Sequence, residues 1–382
     1  MRICINGLYF MPGVMGGAET YLNGLLHHLP SVAPGDAFTL LLGSECYGKM
    51  TFPKRVNVSQ QKTLTKPDPR WYLNLLLTAA LHTDFHSRIM KQCDADVVHY
   101  PFTVLFPPVS HKPTVLTFHD MQQEFYPAFF SLKERLYRAR TYRNSAQRAT
   151  RIIAISQHVK QCLVDRYRIQ PEKIDVVYNG CNQNFRVIDD NETLQKIREK
   201  YKLKRPFMFY PAASWPHKNH VRLLDALALL VQQKCFDGQL VLTGIGKDQN
   251  ATIFKRIKTL GLENHVTVLG YLPYNDLPYI YNFARMLVFP SLFEGFGIPL
   301  VEAMACGCPV LASNCTAIPE VIANAGALFD PTSIEDMSDL IWKLWHDEPK
   351  LLAMKQAGLL RAQSFTWEQT AAATMAVYQK SA

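Results

Sequence analysis

A chain of 382 residues exceeds what a single hydrophobic core organises, and two α/β domains are the natural expectation. With 48% hydrophobic and 19% charged residues the composition is that of a globular protein, which excludes a disordered chain. The net charge of +9 is uneven: residues 1–186 hold 22 Lys and Arg against 13 Asp and Glu and the remainder balances, so the two halves are expected to meet different partners.

The amino terminus, Met1-Arg2-Ile3-Cys4-Ile5-Asn6-Gly7, lacks the apolar region of a signal peptide, and the apolar run at 73–81 is far short of a membrane span. A cytoplasmic protein is expected, and its nine cysteines, without CxxC pairs, read as reduced core thiols. Short β-branched runs alternate with amphipathic stretches, the pattern of parallel sheets with crossover helices. Strands are predicted at 2–6, 38–42, 96–100, 114–118, 151–155 and 174–178, then at 206–210, 239–243, 265–269, 286–289, 309–311 and 325–329. The polar stretch after Asn179-Gly180 marks the junction. The expected domains are 1–186 and 187–364, with a closing helix in 365–382. Two such sheets facing each other would leave a cleft outside their carboxyl ends as the default site.

Within the first half, Gly16-Gly17-Ala18-Glu19-Thr20 follows the first strand and opens a helix. Asp94-Ala95-Asp96 is a DxD, yet it directly precedes a strand and reads as turn chemistry rather than a metal site. Thr117-Phe118-His119-Asp120 ends a strand, where His119 would project toward a ligand and Asp120 could orient it. Lys133, Arg135, Arg138, Arg140, Arg143, Arg148 and Arg151 crowd one helical region against Glu134, interleaved with Leu136, Tyr137 and Tyr142. Such a run is a solvated face or a seat for an anionic membrane surface or acceptor, with Arg138, Arg140 and Arg143 its centre. No recognised nucleic-acid-binding module accompanies it.

In the second half, Trp215-Pro216-His217-Lys218-Asn219-His220 follows that domain's first strand. Gly244-x-Gly246-Lys247 lacks the spacing and hydroxyl residue of a P-loop. The strongest signal is Pro290-Ser291-Leu292-Phe293-Glu294-Gly295-Phe296-Gly297-Ile298-Pro299-Leu300-Val301-Glu302, a strand end, a glycine loop and a helix start. The Gly295-Phe296-Gly297 turn lets backbone N–H groups approach an anion, and the helix amino terminus adds positive potential for a diphosphate. Pro299 suits the first helical position, and Glu302 is expected in the first turn.

Glu294-x7-Glu302 and its surroundings resemble the E-x7-E element of retaining glycosyltransferases of family 4, which have the GT-B fold. The resemblance implies a metal-independent enzyme that uses no cofactor, with a nucleotide-diphosphate sugar as its donor substrate. In it Glu294 contacts the donor sugar and Glu302 the ribose, while the amides of Phe296, Gly297 and Ile298 cradle sugar or phosphate. Lys218 matches the lysine that neutralises the diphosphate. Ala212 stands where many members carry a second cation, which leaves that charge to Lys218 with His217 beside it. Gly16 and Gly17 match the amino-terminal phosphate loop, and His119 lies near the reacting carbon. Tyr271 and Leu272 fall near the nucleobase, and the last helix crosses back to the first domain. The hexamer at Trp215–His220 is similar to mannosyltransferase members, making GDP-mannose the first donor, and a cytosolic transferase with one basic half suits a lipid-linked or polysaccharide- or lipopolysaccharide-type acceptor at the inner face of a membrane. A sugar-nucleotide epimerase would share the architecture. A dinucleotide oxidoreductase would need a GxGxxG that Gly13, Gly16 and Gly17 do not space.

Overall fold

The computed structural model describes residues 1–46, 52–61, 90, 93–109, 111–203, 205–234, 236–245 and 251–382. The expectations for 73–81, Gly246 and Lys247 lie outside them. Residues Met1–Gly180 together with Trp367–Ala382 form one compact unit, and Cys181–Thr366 the other. The division falls a few residues before the 186/187 boundary read from the sequence.

The first unit runs β1 (Arg2–Gly7), α1 (Gly17–Val32), β2 (Ala37–Gly43), β3 (Val56–Gln61), β4 (Val97–Tyr100), β5 (Thr114–Phe118), α2 (Leu132–Arg148), β6 (Arg151–Ala154), α3 (Gln157–Tyr167) and β7 (Ile174–Val176). Its strands pair in parallel in the order β3-β2-β1-β4-β5-β6-β7. The second runs α4 (Asn191–Lys200), β8 (Phe207–Pro211), α5 (His220–Lys234), β9 (Gln239–Thr243), α6 (Ala251–Thr259), β10 (Val266–Val268), α7 (Leu277–Phe283), β11 (Met286–Phe289), α8 (Ile298–Ala305), β12 (Val310–Ser313), α9 (Ile318–Ile322), β13 (Gly326–Phe329), α10 (Ile334–Trp345) and α11 (Glu348–Ala362). Its parallel sheet is ordered β10-β9-β8-β11-β12-β13. Each unit is thus a doubly wound, Rossmann-like sheet. In each the strand order reverses at one point, between β1 and β4 and between β8 and β11, and the crevice beyond the strand ends there is the natural ligand site.

The central strands are buried along their whole length, as parallel strands covered on both faces must be. Strand β3, which the sequence reading missed, is Val-Asn-Val-Ser-Gln-Gln: an edge strand with one apolar face, too polar to read as a core strand. Helix α1 lays Leu22, Leu25, Leu26 and Leu29 on one face at helical spacing. The closing helix, α12 (Trp367–Ser381), belongs to the first unit and packs on α1. A Cβ on Gly24 of α1 would come within 2.2 Å of the Trp367 ring, so the close approach of the two helices depends on that glycine.

A buried polar chain ties α12 into this sheet. The Tyr378 hydroxyl meets His99 Nδ1 at 2.7 Å, His99 Nε2 meets Thr117 Oγ1 at 2.8 Å, and Thr117 Oγ1 meets the Tyr21 hydroxyl at 2.8 Å. Burial, with His119 nearby, pushes the His99 imidazole down to about 3, so it stays neutral and serves as a hydrogen-bonding core residue. Among the described residues no helix is long and apolar enough to cross a membrane.

Candidate active site

In the second unit the site grows out of the loops after β8 and β11, the two strands at the reversal point. Pro216–Lys218 forms a single helical turn beyond β8, closed by Asn219 in the left-handed region. Asn219 Nδ2 donates to the carbonyls of Pro290, at 3.1 Å, and Pro331, at 2.8 Å, and Leu292 N donates to the His217 carbonyl at 2.7 Å. The Tyr210 hydroxyl, at the end of β8, donates to the Lys218 carbonyl at 2.8 Å and lies 3.2 Å from Ser291 Oγ. Through this lacing Lys218 Nζ meets Glu294 Oε1 at 2.6 Å, with side chains only 19% and 12% exposed. Without ligand, burial and the neighbouring Lys218 push the His217 imidazole down to about 4, which leaves Lys218 as the cation of this turn.

After Glu294 the chain turns through Gly295 and Phe296 to Gly297, the cap residue of α8 at φ 95°. A side chain there would be strained, and its Cβ would lie 2.8 Å from Leu300 Cδ1. No side chain of the cap residue closes this helix end. Pro299 is the second helical residue, and Glu302 lies in the second turn, a correction to the expectation for both. The reason is that Gly297 in the left-handed region lets Ile298 begin the helix.

Glu302 is 6% exposed, which takes it away from the helix end and into the unit. The Tyr281 hydroxyl donates to its Oε2 at 3.0 Å and the Tyr274 hydroxyl to its Oε1 at 3.5 Å. Burial outweighs both and pushes its carboxyl up to about 7. A carboxylate so placed is a strong acceptor for any hydroxyl that reaches it. Sequence reasoning passed over Tyr274 and Tyr281 and singled out Tyr271, which is 73% exposed beyond β10, with Leu272 beside it. The available signal was the tyrosine-rich run of α7, whose Tyr281 is fully buried.

In the first unit Gly16 caps α1 at φ 52°, ψ −125°, a conformation open to glycine, and Gly17 is the first helical residue. Glu19 Oε2 accepts from Gly13 N at 2.8 Å and closes the loop. His119 follows β5. Its Nε2 donates to the Pro101 carbonyl at 2.7 Å, and its ring stands edge-on to Tyr21 at 5.2 Å. The carbonyl, not Asp120, therefore sets the ring: Asp120 Oδ1 accepts from Gln122 N at 3.5 Å. Burial lowers the His119 imidazole below its ordinary value, and with Nε2 protonated, Nδ1 is the acceptor of the neutral ring.

Asp94 and Asp96 sit before the amino end of β4. Both hold the Arg2 guanidinium, Asp96 at 2.8 Å. Helix α2 carries Lys133, Arg135, Arg138, Arg140, Arg143 and Arg148, whereas Arg151 opens β6 and pairs with Asp175 at 2.7 Å. Glu134 is engaged in a capping box with Ser131. Arg138 lies over the Phe130 ring at 4.6 Å, and Leu132, Leu136 and Tyr137 are exposed beside the cations.

Two Rossmann-like units, one with a lysine–glutamate pair, a glycine-capped helix and a buried carboxylate at the reversal point of its sheet, fit an enzyme of the glycosyltransferase class. Sequence models of Glycosyltransferase Family 4 and of Glycosyl transferases group 1 match residues 15–185 and 191–361, and the chain belongs to this family. It is 29% identical to O-antigen chain mannosyltransferase B of Escherichia coli over 69% of this chain and 70% of that protein. It is 33% identical to serotype-specific mannosyltransferase WbdA of Escherichia coli over 59% of this chain, but the match spans only 28% of that longer protein. Among solved structures, sucrose-phosphate synthase from Thermosynechococcus elongatus superposes with a TM-score of 0.80 at 18% identity, covering 100% of this chain and 98% of the other, which is a likeness of GT-B fold.

Proposed function

We propose that this glycosyltransferase moves mannose from GDP-mannose to a hydroxyl of a lipid-linked or lipopolysaccharide-type glycan, with retention at the anomeric carbon. The observation that carries the reading is the Lys218–Glu294 pair that joins the loops after β8 and β11, followed by the Gly297-capped helix that carries the buried Glu302. The mannosyl donor is favoured by the O-antigen mannosyltransferases among the relatives.

Cleavage at the anomeric carbon requires a stabilised diphosphate leaving group more than a strong base. In this reading Lys218 and the amides of Phe296, Gly297 and Ile298 stabilise the charge as it develops, and Gly16 and Gly17 supply a second phosphate-approaching turn. Glu294 and His119 bind sugar hydroxyls and hold the reacting geometry. Glu302 accepts hydrogen bonds from the ribose, and Tyr271 and Leu272 lie toward the base. The reaction needs no metal, and Asp94 and Asp96 already hold Arg2. The exposed cations and apolar side chains of α2 suit an anionic membrane surface, on whose cytoplasmic side a lipid-linked acceptor would be met.

A thermal-shift panel of sugar nucleotides, followed by incubation of the best binder with and without a polyprenyl-linked glycan, tests the proposal. At a hundred times its Kd a donor stabilises by about 2.7 kcal/mol. GDP-mannose should give the largest shift and be consumed only with acceptor. Free epimerised sugar nucleotide without acceptor would instead favour an epimerase.

A further inference from the structure

Six described residues other than glycine have a left-handed backbone. Arg168 and Asn219 cap helical segments in the left-handed region, where that conformation is routine, Lys202 directly follows the cap of α4, and Ala323 caps α9 at φ 48°, ψ −122°. The other two, Thr103 at φ 56° and Thr316 at φ 57°, close no helix end, and each is β-branched, a side chain that resists this region. Each is the third residue beyond a strand, Thr103 after β4 and Thr316 after β12. Each strand is the sheet neighbour of the strand that carries a site residue, β4 beside β5 and β12 beside β11. Each hydroxyl accepts a hydrogen bond from that site residue's backbone: His119 N to Thr103 Oγ1 at 3.1 Å, and Glu294 N to Thr316 Oγ1 at 3.2 Å.

We propose that Thr103 and Thr316 are positioning residues, one in each unit, whose strained backbones hold a hydroxyl against the main chain of His119 and Glu294 and so aim those side chains. The role assigned to the two side chains rests on the transferase reading above. Glycine or asparagine would take the left-handed backbone at lower cost. Threonine supplies an oxygen that its γ-methyl restricts to few rotamers. At Thr103 the turn is held by its own N–H on the Thr117 carbonyl at 2.8 Å, and the neighbouring Pro101 carbonyl takes the His119 ring, so amide and imidazole of one residue are anchored on one turn. At Thr316 the hydroxyl also donates to the Cys315 carbonyl at 2.8 Å, which leaves its lone pair for Glu294 N, while the Glu294 carboxylate meets Lys218. Strain of this kind persists where the surroundings over-determine it, and it belongs with function rather than stability.

The test compares Thr316→Gly and Thr103→Gly with Thr316→Ser and Thr103→Ser. Glycine removes both the strain and the oxygen; serine keeps the oxygen. The glycine variants should melt no lower than wild type, bind GDP unchanged, and turn over GDP-mannose with kcat reduced about tenfold, the value of one orienting hydrogen bond. The serine variants should remain near wild type. Hydrogen-exchange mass spectrometry without ligand should show faster exchange at the peptides containing Glu294 or His119 in the glycine variants alone. Should a glycine variant fail to fold, valine, which keeps the branched shape and lacks the oxygen, takes its place. Wild-type turnover and exchange in the glycine variants, or serine variants as impaired as glycine ones, would overturn the assignment. A wild type that turns over no sugar nucleotide defeats the transferase reading alone, and the exchange comparison then decides for or against the threonines.

Discussion

Lys218 Nζ and Glu294 Oε1 lie 2.6 Å apart, joining the loop after β8 to the loop after β11 across the point where the strand order reverses. A pair this sheltered is costly to break from one side, because the survivor keeps its charge without a partner. Lys218→Met and Glu294→Gln should each destabilise the protein by about 2–4 kcal/mol, and the double variant by less than their sum, with a coupling of about 1–3 kcal/mol. Urea unfolding of the four proteins measures it, and strictly additive losses would mean the contact contributes nothing.

The buried Glu302 carboxyl makes stability depend on pH in a definite direction. Its folded value of about 7 lies above its ordinary 4.5, so between these the native state holds a proton that the unfolded state has released. Stability is therefore full below pH 4.5 and is lost as pH rises through 7, by on the order of 3 kcal/mol for this group. Ligand-free Glu302→Gln should match wild type in acid and exceed it at pH 8. Stability–pH curves that run parallel would refute the assignment.

Gly297→Ala tests the helix cap. At φ 95°, with a Cβ contact of 2.8 Å to Leu300, alanine should cost about 1–3 kcal/mol and displace the amides that precede α8. Nucleotide titrations should show weaker GDP binding, and unchanged affinity together with unchanged stability would remove the loop from the site.

Much of this was legible in the residues, and the misses have physical reasons. The strands at Thr114–Phe118, Gln239–Thr243 and Met286–Phe289 were read to the residue, because buried parallel strands are apolar on both faces. Strand β3 was missed because an edge strand carries polar residues. The depth of Glu302 depended on where Gly297 let the helix begin, which spacing alone does not state. The lowered His217 imidazole was not legible because burial is a property of the packed unit. Arg151 was grouped with the basic helix although a strand starts there. Thr103 and Thr316 left no signal at all, since nothing in a threonine announces a left-handed backbone.

Helix α2 presents five exposed cations, Lys133, Arg135, Arg140, Arg143 and Arg148, with Leu132, Leu136 and Tyr137 beside them. Reversing Arg138, Arg140 and Arg143 to glutamate should weaken co-sedimentation with phosphatidylglycerol-containing vesicles and leave GDP binding intact. Each cation is worth about 1 kcal/mol near an anionic surface. Equal sedimentation of both proteins would return these arginines to an ordinary solvated face.

The central claim is that the second unit binds a nucleotide-diphosphate sugar, with Glu302 on the nucleotide and Glu294 on the sugar, and calorimetric titration of GDP and of GDP-mannose into Glu302→Ala and Glu294→Ala, once circular dichroism shows both folded, tests it most directly. Loss of a charged hydrogen bond to the ribose, about 1.5–3 kcal/mol, should weaken both ligands roughly tenfold to a hundredfold in Glu302→Ala. Glu294→Ala should bind GDP like wild type and lose affinity for GDP-mannose only. Intact GDP binding in Glu302→Ala with none in Glu294→Ala would contradict the account.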